Sequence, residues 1–173
     1  MKTFQNKVFE NETFEKINFS NFDFSNSSFI NCAFNQCNLS NINLQNVSFQ
    51  DCSFDKSKLL GLKFSQCKQL LLSFNFNNCL ISNSLFENLN LKNSSFKNSE
   101  IIDCYFTNVN LQGNSFTDCN LRNSLFEKCN LENCDFSKAS EYFLDPDNNQ
   151  IKNASFSYPE VLNLLNKFNI NIK

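Results

Sequence analysis

Large apolar residues recur at every fifth position along most of this chain. From Phe4 to Phe64, thirteen positions spaced by five hold Phe or Leu, and a second series of Phe, Leu and Ile runs from Phe76 to Phe136. Of the 22 Phe residues, 18 lie in these series or at Phe156, where the same phase returns after a gap. A period of five fits neither an α-helix nor the alternation of a β-strand. The pattern therefore predicts a coil that turns a corner every five residues.

The residue two places before each large apolar residue is also apolar or small. If the large residue is position i, position i−2 is mainly Cys, Ser, Val, Ile or Leu. Positions i−1, i+1 and i+2 are mostly polar, and Asn or Asp is frequent at i−1. We therefore expect positions i and i−2 to point into the core and the other three to face water.

The nine cysteines follow the same period. Eight of them occupy position i−2, and Cys67 also fits if the first series is continued to position 69. Because Cys is small and often buried, this placement predicts nine core-filling thiols. The odd count disfavours a disulfide framework, and the absence of His and of closely paired cysteines disfavours a zinc site. Cys32 and Cys52 are expected to stack on neighbouring coils, where they could oxidise but where burial should keep them unreactive.

Composition and charge exclude several classes of function. The 15 basic and 17 acidic residues give a formal charge of −2, which does not indicate binding to nucleic acid or to anionic membranes. No apolar run approaches a membrane span, and the first residues lack a secretory signal, so we expect a cytoplasmic protein. With no His, no phosphate-binding Gly loop and no nucleophile motif, the sequence predicts a protein that is not an enzyme and that holds no cofactor or metal.

Two segments interrupt the period. Residues 65–75 carry a two-residue insertion that must bulge or re-route a corner, and at least one residue of the run Leu70–Leu72 is expected to point inward. Residues 140–150 place Glu141 and Pro146 at position i, where neither can serve as a core residue, and have the composition of a turn. We therefore expect one repeat domain over residues 1–157.

Residues 158–173 have a helical pattern instead. Ser157 is a candidate N-cap, Pro159 suits a first turn, and Glu160 favours the positive end of a helix. Ile170 and Ile172 then alternate like a short strand. An apolar helix at this place either caps the open end of the repeats or joins two copies end to end. Its apolar face is our candidate dimer interface and consists of Val161, Leu164, Leu165 and Phe168.

The repeats "CNLSN", "VNLQG", "CNLRN", "CNLEN" and "CDFSK" resemble the pentapeptide repeat family over about residues 4–156. The resemblance implies an all-β fold, a right-handed quadrilateral β-helix with four repeats per coil, here followed by a short C-terminal α-helix. Coils spaced by roughly 4.8 Å would then form a rod on the order of 30 Å long. Residues twenty apart would stack, so Leu91, Leu111 and Leu131 should form an internal ladder with Asn90, Asn110 and Asn130 beside it.

The C-terminal segment is similar to the quinolone-resistance and microcin-immunity branch of that family. This resemblance implies a homodimer joined through C-terminal helices. It also implies a DNA mimic that binds DNA gyrase or topoisomerase IV and relieves poisoning of the enzyme. The chain departs from the branch in its nearly neutral charge and in the absence of long loops. The alternatives are a scaffold that binds an unrelated protein through one flat face and an enzyme with an unrecognised site.

One outward column breaks the polar pattern at position i−1. Leu85, Tyr105 and Leu125 are spaced by twenty and should stack on one face, with Glu87 and Glu127 as an acidic rim. We interpret this column, together with Leu70 and Leu72 of the insertion, as a candidate partner-binding surface with Tyr105 as its anchor. The alternative is that a terminal segment or the insertion covers it, or that it is a slightly apolar wall.

Overall fold

The computed structural model describes residues 3–92 and 94–171. Within them the chain winds as a four-sided parallel β-helix of about 7 turns, which confirms the predicted fold class. Its walls consist of 17 short strands, in chain order β1 (Val8–Glu10), β2 (Thr13–Glu15), β3 (Ser28–Ile30), β4 (Ala33–Asn35), β5 (Ser48–Gln50), β6 (Cys52–Asp55), β7 (Lys58–Leu60), β8 (Phe74–Asn77), β9 (Leu80–Ser82), β10 (Leu85–Glu87), β11 (Ser95–Lys97), β12 (Glu100–Ile102), β13 (Tyr105–Thr107), β14 (Leu125–Glu127), β15 (Asp135–Phe136), β16 (Phe143–Leu144) and β17 (Ser155–Phe156).

Strands of successive coils pair in parallel, so residues twenty apart usually lie above one another. The first wall holds β1, β3 and β5, and the second holds β2, β4, β6, β8 and β11. The third wall holds β7, β9 and β12, and the fourth holds β10, β13, β14 and β16. Strands β15 and β17 continue the second wall, because Phe136 stacks on Phe116 with ring centroids 4.9 Å apart.

The core is a set of vertical stacks of apolar side chains, many of them Phe on Phe, as the period predicts. Phe116 also stacks on Phe96, with centroids 5.1 Å apart and rings 7° from parallel. The Leu ladder is fully buried, and Asn110 Nδ2 donates to Asn90 Oδ1 at 3.2 Å beside it. Each ring therefore removes apolar surface from water and keeps the same neighbours above and below, which fixes the register between coils.

The corners explain why Asn is so abundant. Nearly every coil corner has a residue with φ between 49° and 61° at position i+2, and most of these residues are Asn, for example Asn88 and Asn108. This left-handed conformation costs most L-residues roughly 1–2 kcal/mol, and Asn tolerates it best after Gly. Gly61 and Gly113 occupy two further corners with positive φ. The five-residue period thus specifies the backbone as well as the core.

Small residues at position i−2 satisfy buried backbone groups at the corners. Ser57 Oγ donates to Phe34 O at 3.0 Å and accepts from the Cys37 backbone N–H at 2.9 Å. The Cys52 thiol lies 3.4 Å from Phe29 O in the same arrangement. A buried carbonyl without a partner is costly, so Ser and Cys are favoured here because they can donate as well as because they are small.

The insertion lengthens one coil by two positions. Phe34 pairs with Phe54 at the usual step of twenty, whereas Phe54 pairs with Phe76 and Cys52 with Phe74. A short 3₁₀ helix, Phe64–Gln66, precedes the insertion. The first two leucines of the run Leu70–Leu72 protrude, at 79% and 62% exposed, whereas Leu72 is 5% exposed. Leu72 therefore fills the core between the coils and is not available to a partner, contrary to its assignment as a contact residue.

The turn at 140–150 shifts the register in the opposite sense and then restores it. Leu125 pairs with Phe143, two positions short of a step of twenty, whereas Asn130 pairs with Gln150 at the full step. Tyr142 and Leu144 are each 2% exposed and supply the core in this coil. They take the places that the period assigns to Glu141 and Pro146.

The C-terminal helix, Glu160–Phe168, is a 3₁₀ helix and not the predicted α-helix. Its first turn has both hydrogen-bond spacings, because the Val161 N–H donates to Ser157 O, four residues back, and the Leu162 N–H donates to Pro159 O, three residues back. Pro159 is its N-cap residue, and Ser157 makes no side-chain cap, because its Oγ accepts from the Lys138 backbone N–H. Ile170 is exposed outside any strand, and Ile172 lies outside the described residues. Among the described residues, no helix has the length and apolarity of a bilayer span.

Candidate functional site

The outward column of the fourth wall forms a continuous apolar surface. Leu85 pairs with Tyr105, and Tyr105 pairs with Leu125, so the three side chains stand above one another on adjacent coils. Tyr105 is 48% exposed, and the two leucines are half-buried. Phe143 continues the column in the next coil and is 49% exposed. We call these four residues the apolar strip.

Sequence reasoning missed Phe143 because the turn at 140–150 shifts its pairing away from the step of twenty that the other coils follow. A step of twenty from Leu125 leads to Asp145, whereas the observed partner, Phe143, comes two positions earlier. The alternation of Tyr142, Phe143 and Leu144 was the available signal, since a buried–exposed–buried triplet is what a strand of one coil requires.

A second column beside the strip carries acidic residues. Glu87, Thr107 and Glu127 occupy position i+1 of the same wall and are in register with one another. Within the described residues, neither the Glu87 nor the Glu127 carboxylate forms a hydrogen bond or an ion pair. Both carboxylates are thus free to receive a cation from outside the chain.

The strip ends differently at its two ends. Lys63 lies below Leu85 in the same column. At the other end, Lys167 Nζ contacts Asp145 Oδ1 at 2.7 Å and also contacts Asp147, which ties the C-terminal helix to the turn. The hydrogen bond from Lys167 lowers the pKa of Asp145, and the two carboxylates raise the pKa of Lys167. A hollow of about 180 Å³ lies between Leu125, Phe143 and Asp145.

A wider cleft follows the corner between the fourth and first walls. Its volume is about 450 Å³, and its rim consists of side-chain amides and one lysine, with Leu89 and Val109 as its floor. The amides bond to one another, as Asn108 Nδ2 does to Asn88 Oδ1 at 2.8 Å. No carboxylate pair, thiolate or other titratable pair lines it, so the cleft provides no acid–base chemistry.

The thiols lie in the core, as the period predicts. All nine cysteines are free and buried. Burial raises the pKa of Cys79 and Cys129 to about 11 and that of Cys52, Cys104, Cys119 and Cys134 to about 12, and it also raises the pKa of Cys37 and Cys67. A buried neutral thiol is neither a nucleophile nor a metal ligand. The described residues contain no group of three or more potential metal ligands.

The other predicted contact residues lie elsewhere. Leu70 protrudes from the insertion beside β5, on the first wall and not on the fourth. In the C-terminal helix, Val161, Leu164 and Leu165 are half-buried, and Leu164 packs against the core. Phe168 is 56% exposed, with Lys167 Nζ 5.0 Å from its ring centroid. The helix therefore covers part of the last coil and leaves the outer end of its apolar face open.

Comparison with known proteins identifies the repeat. A family model for the pentapeptide repeat region matches residues 27–102 and 80–156. No curated protein matches the chain significantly. Two structures of trypsin-treated variants of QnrB1, a plasmid-mediated fluoroquinolone resistance protein, are each 18% identical to it. The first alignment spans 100% of this chain and 94% of the QnrB1 chain, with a TM-score of 0.67. The second spans 98% of this chain and 92% of the QnrB1 chain, with a TM-score of 0.54.

A third structure is HetL, a pentapeptide repeat protein involved in heterocyst differentiation regulation in the cyanobacterium Nostoc sp. strain PCC 7120. It is 10% identical and covers 87% of this chain and 85% of its own, with a TM-score of 0.47. The five-residue period, the four-walled coil and the family match agree over most of the sequence, and the chain belongs to the pentapeptide repeat family.

Proposed function

We propose that this protein is a non-catalytic rod that binds a type II topoisomerase, DNA gyrase or topoisomerase IV, as a DNA mimic and protects it from poisoning by a quinolone or a toxin. The observation that carries the proposal is the match of the whole of this chain to a trypsin-treated variant of QnrB1, a fluoroquinolone resistance protein, at a TM-score of 0.67. At 18% identity the match establishes the fold, and the shared function is our proposal.

The rod's construction is consistent with such a role. Stacked coils give a stiff body, and in the part of the chain that the structure describes no titratable pair lines the cleft of about 450 Å³. Charge is the difficulty, because DNA mimicry needs negative surface and this chain carries a net −2. Binding should therefore depend on shape and local contacts, and it should weaken less with salt than binding by a strongly acidic mimic.

A gyrase supercoiling assay with and without a fluoroquinolone tests the proposal. We expect the wild-type protein to restore supercoiling in the presence of the drug and to reduce linear cleaved DNA, at both low and moderate salt. Phe106→Asp, which places a charge in the core, is the unfolded control and should not protect. Absence of protection together with absence of binding to purified gyrase and topoisomerase IV would refute the proposal.

We also propose that two copies join through their C-terminal helices. The support is the exposed outer end of the apolar face at Phe168, next to the half-buried Leu164 and Leu165. A closed two-fold pairing is the commonest way to bury such a surface.

A protein-interaction scaffold for an unrelated partner is the second candidate. It is favoured by the apolar strip, because an exposed column of large apolar residues is a feature of protein-binding surfaces and not of a DNA-like one.

A further inference from the structure

We propose that the apolar strip is a docking site for an amphipathic helix of a partner protein that carries basic residues along one flank of its apolar face. The proposal does not depend on the topoisomerase hypothesis, since it concerns the chemistry of the bound segment and not the protein that supplies it.

The first argument is composition. Leu85, Tyr105, Leu125 and Phe143 place a large apolar side chain at position i−1 on four successive coils. In the lower coils the same column holds Thr3, Asp23, Asn43 and Lys63. Hydrophobic residues scattered singly on a surface need no explanation, but a contiguous column does.

The second argument is spacing. Coils are stacked at roughly 4.8 Å, so the four rows of the strip span about 14 Å. Along a helix, side chains on one face recur once per turn, about every 5.4 Å, so a helix of about twelve residues would match four rows with a total mismatch of only ~2 Å. An extended strand presents side chains on one face every ~6.7 Å, so its mismatch with the four rows adds up to about 6 Å. The strip therefore favours a helix lying along the rod axis.

The third argument is charge. Glu87 and Glu127 lie on the same side of the strip, with Thr107 between them, and neither carboxylate has an ion-pair partner in the described chain. Two coils separate them by about 10 Å, which equals the rise of about seven helical residues. Lysines or arginines seven residues apart on the helix would therefore reach both carboxylates while its apolar side chains contact the strip.

The fourth argument is shape. The hollow of about 180 Å³ between Leu125 and Phe143 lies at the end of the strip nearest the C-terminal helix. A cavity of roughly 150 Å³ is known to accept a benzene ring, so this hollow can receive one aliphatic or aromatic side chain of the incoming helix. Tyr105, with its large apolar face and hydroxyl, is at the middle of the contact, where binding energy concentrates.

The test uses a designed probe, because the partner is unidentified. The probe is a fluorescein-labelled, side-chain-stapled helical peptide of fourteen residues, with leucines on one face and two lysines seven residues apart on its flank. The control peptide has glutamates in place of those lysines. Binding to the full-length protein is measured by fluorescence anisotropy. We expect the lysine peptide to bind the wild type and the glutamate peptide to bind at least about tenfold more weakly.

Two double variants separate the contributions. Tyr105→Ser with Leu125→Ser should weaken binding of the lysine peptide by about thirtyfold or more. Glu87→Gln with Glu127→Gln should weaken it by about fivefold to tenfold without changing the melting temperature, since both carboxylates are unpaired. The matched control, Glu10→Gln with Glu100→Gln, removes the same charge on other walls and should change binding by less than about twofold.

Several outcomes would overturn the proposal. They are equal binding of the two peptides, no binding of either, or retention of binding in the serine variant. If the serine variant does not fold, the glutamine variant provides the test. The proposal is supported if that variant no longer distinguishes the lysine peptide from the glutamate peptide, and it is refuted if the variant still does. Conversion of a dimer to a monomer by the glutamine variant in sedimentation velocity would assign the strip to a second copy of this chain.

Discussion

Raising the pH from 8 to 9.5 should destabilise this protein far more than an ordinary protein of its size. The cause is the set of buried thiols, among them Cys52, Cys104, Cys119 and Cys134 with the pKa raised to about 12. In the unfolded chain a thiol titrates near pKa ~8.5. Between these values the unfolded state has lost the proton and the folded state has kept it. The unfolded state then binds fewer protons, so the free energy of unfolding falls as pH rises.

The magnitude follows from linkage. With a pKa of about 8.5 in the unfolded chain and about 11 or above in the folded one, each thiol lowers the free energy of unfolding by about 1.2 kcal/mol between pH 8 and 9.5. Six thiols have a raised pKa of about 11 or about 12, the two remaining ones being Cys79 and Cys129. Together they give a loss of about 7 kcal/mol, which is comparable with the ~5–15 kcal/mol stability of a typical domain.

Urea unfolding followed by circular dichroism at several pH values, with a non-thiol reductant present, measures this loss. Cys104→Ser is the matched variant, because Ser84 and Ser124 occupy the same column in the coils on either side and the Cys104 backbone N–H already donates to Ser124 Oγ at 3.1 Å. Its stability should fall by about 1.2 kcal/mol less over the same pH interval. A wild-type protein that loses less than ~2 kcal/mol between pH 8 and 9.5 would refute the reasoning about buried neutral thiols.

Three further predictions test the core, the corners and the end of the rod. Phe106→Ala removes a ring whose centroid lies 4.5 Å and 4.7 Å from those of the rings stacked on either side. It should lower the free energy of unfolding, measured in urea, by about 3–5 kcal/mol. A loss below ~1 kcal/mol would mean that the stacks do not carry the stability. Lys128→Asn should raise the free energy of unfolding in urea by up to about 1 kcal/mol, because residue 128 has a φ of 54° and Asn tolerates this left-handed conformation better than Lys. Lys152→Asn lies outside the left-handed corners and should have little effect. Phe168→Ser should convert a dimer into a monomer in light scattering at micromolar concentration, and a monomeric wild type would show that the helix is only a cap.

The sequence was sufficient to predict the fold because the core residues, the corner residues and the outer polar residues all repeat with the same period of five. The side-chain sizes at positions i and i−2 and the polar outer residues predict a coil that turns a corner every five residues. The resemblance to the pentapeptide repeat family adds the four sides, and the buried stacks such as Phe96 on Phe116 follow from the two together. One signal was present but not interpreted. The Asn residues at position i+2, such as Asn88, adopt a left-handed conformation, so their abundance reflects the backbone at the corners more than solvation.

The sequence was insufficient wherever the period breaks. A two-residue insertion leaves several ways to assign Leu70–Leu72 to the core, and only the packed structure shows that Leu72 fills it, whereas position i−2 of the second series already predicts that Phe74 is buried. The turn at 140–150 conceals Phe143 in the same way. The helical pattern of residues 160–168 is correct in position, but periodicity does not distinguish an α-helix from the observed 3₁₀ helix at this length.

The positions of the repeat differ in how strongly the fold constrains them, and this difference limits where function can be encoded. Positions i and i−2 are constrained by packing, and the left-handed corner favours Asn at position i+2 although Lys, Gln and Asp also occur there. The structure constrains positions i−1 and i+1 least. An identity of 18% over a structural match that covers the whole of this chain is the expected result, because the constrained positions need only a residue class. These two columns are where a wall of the rod can present a specific surface to a partner. Within the described chain, large apolar residues occupy position i−1 on three or more successive coils only in the apolar strip. Exchanging Tyr105 and Leu125 for serine leaves the constrained positions untouched, so a change in binding without a change in fold would locate recognition in these columns.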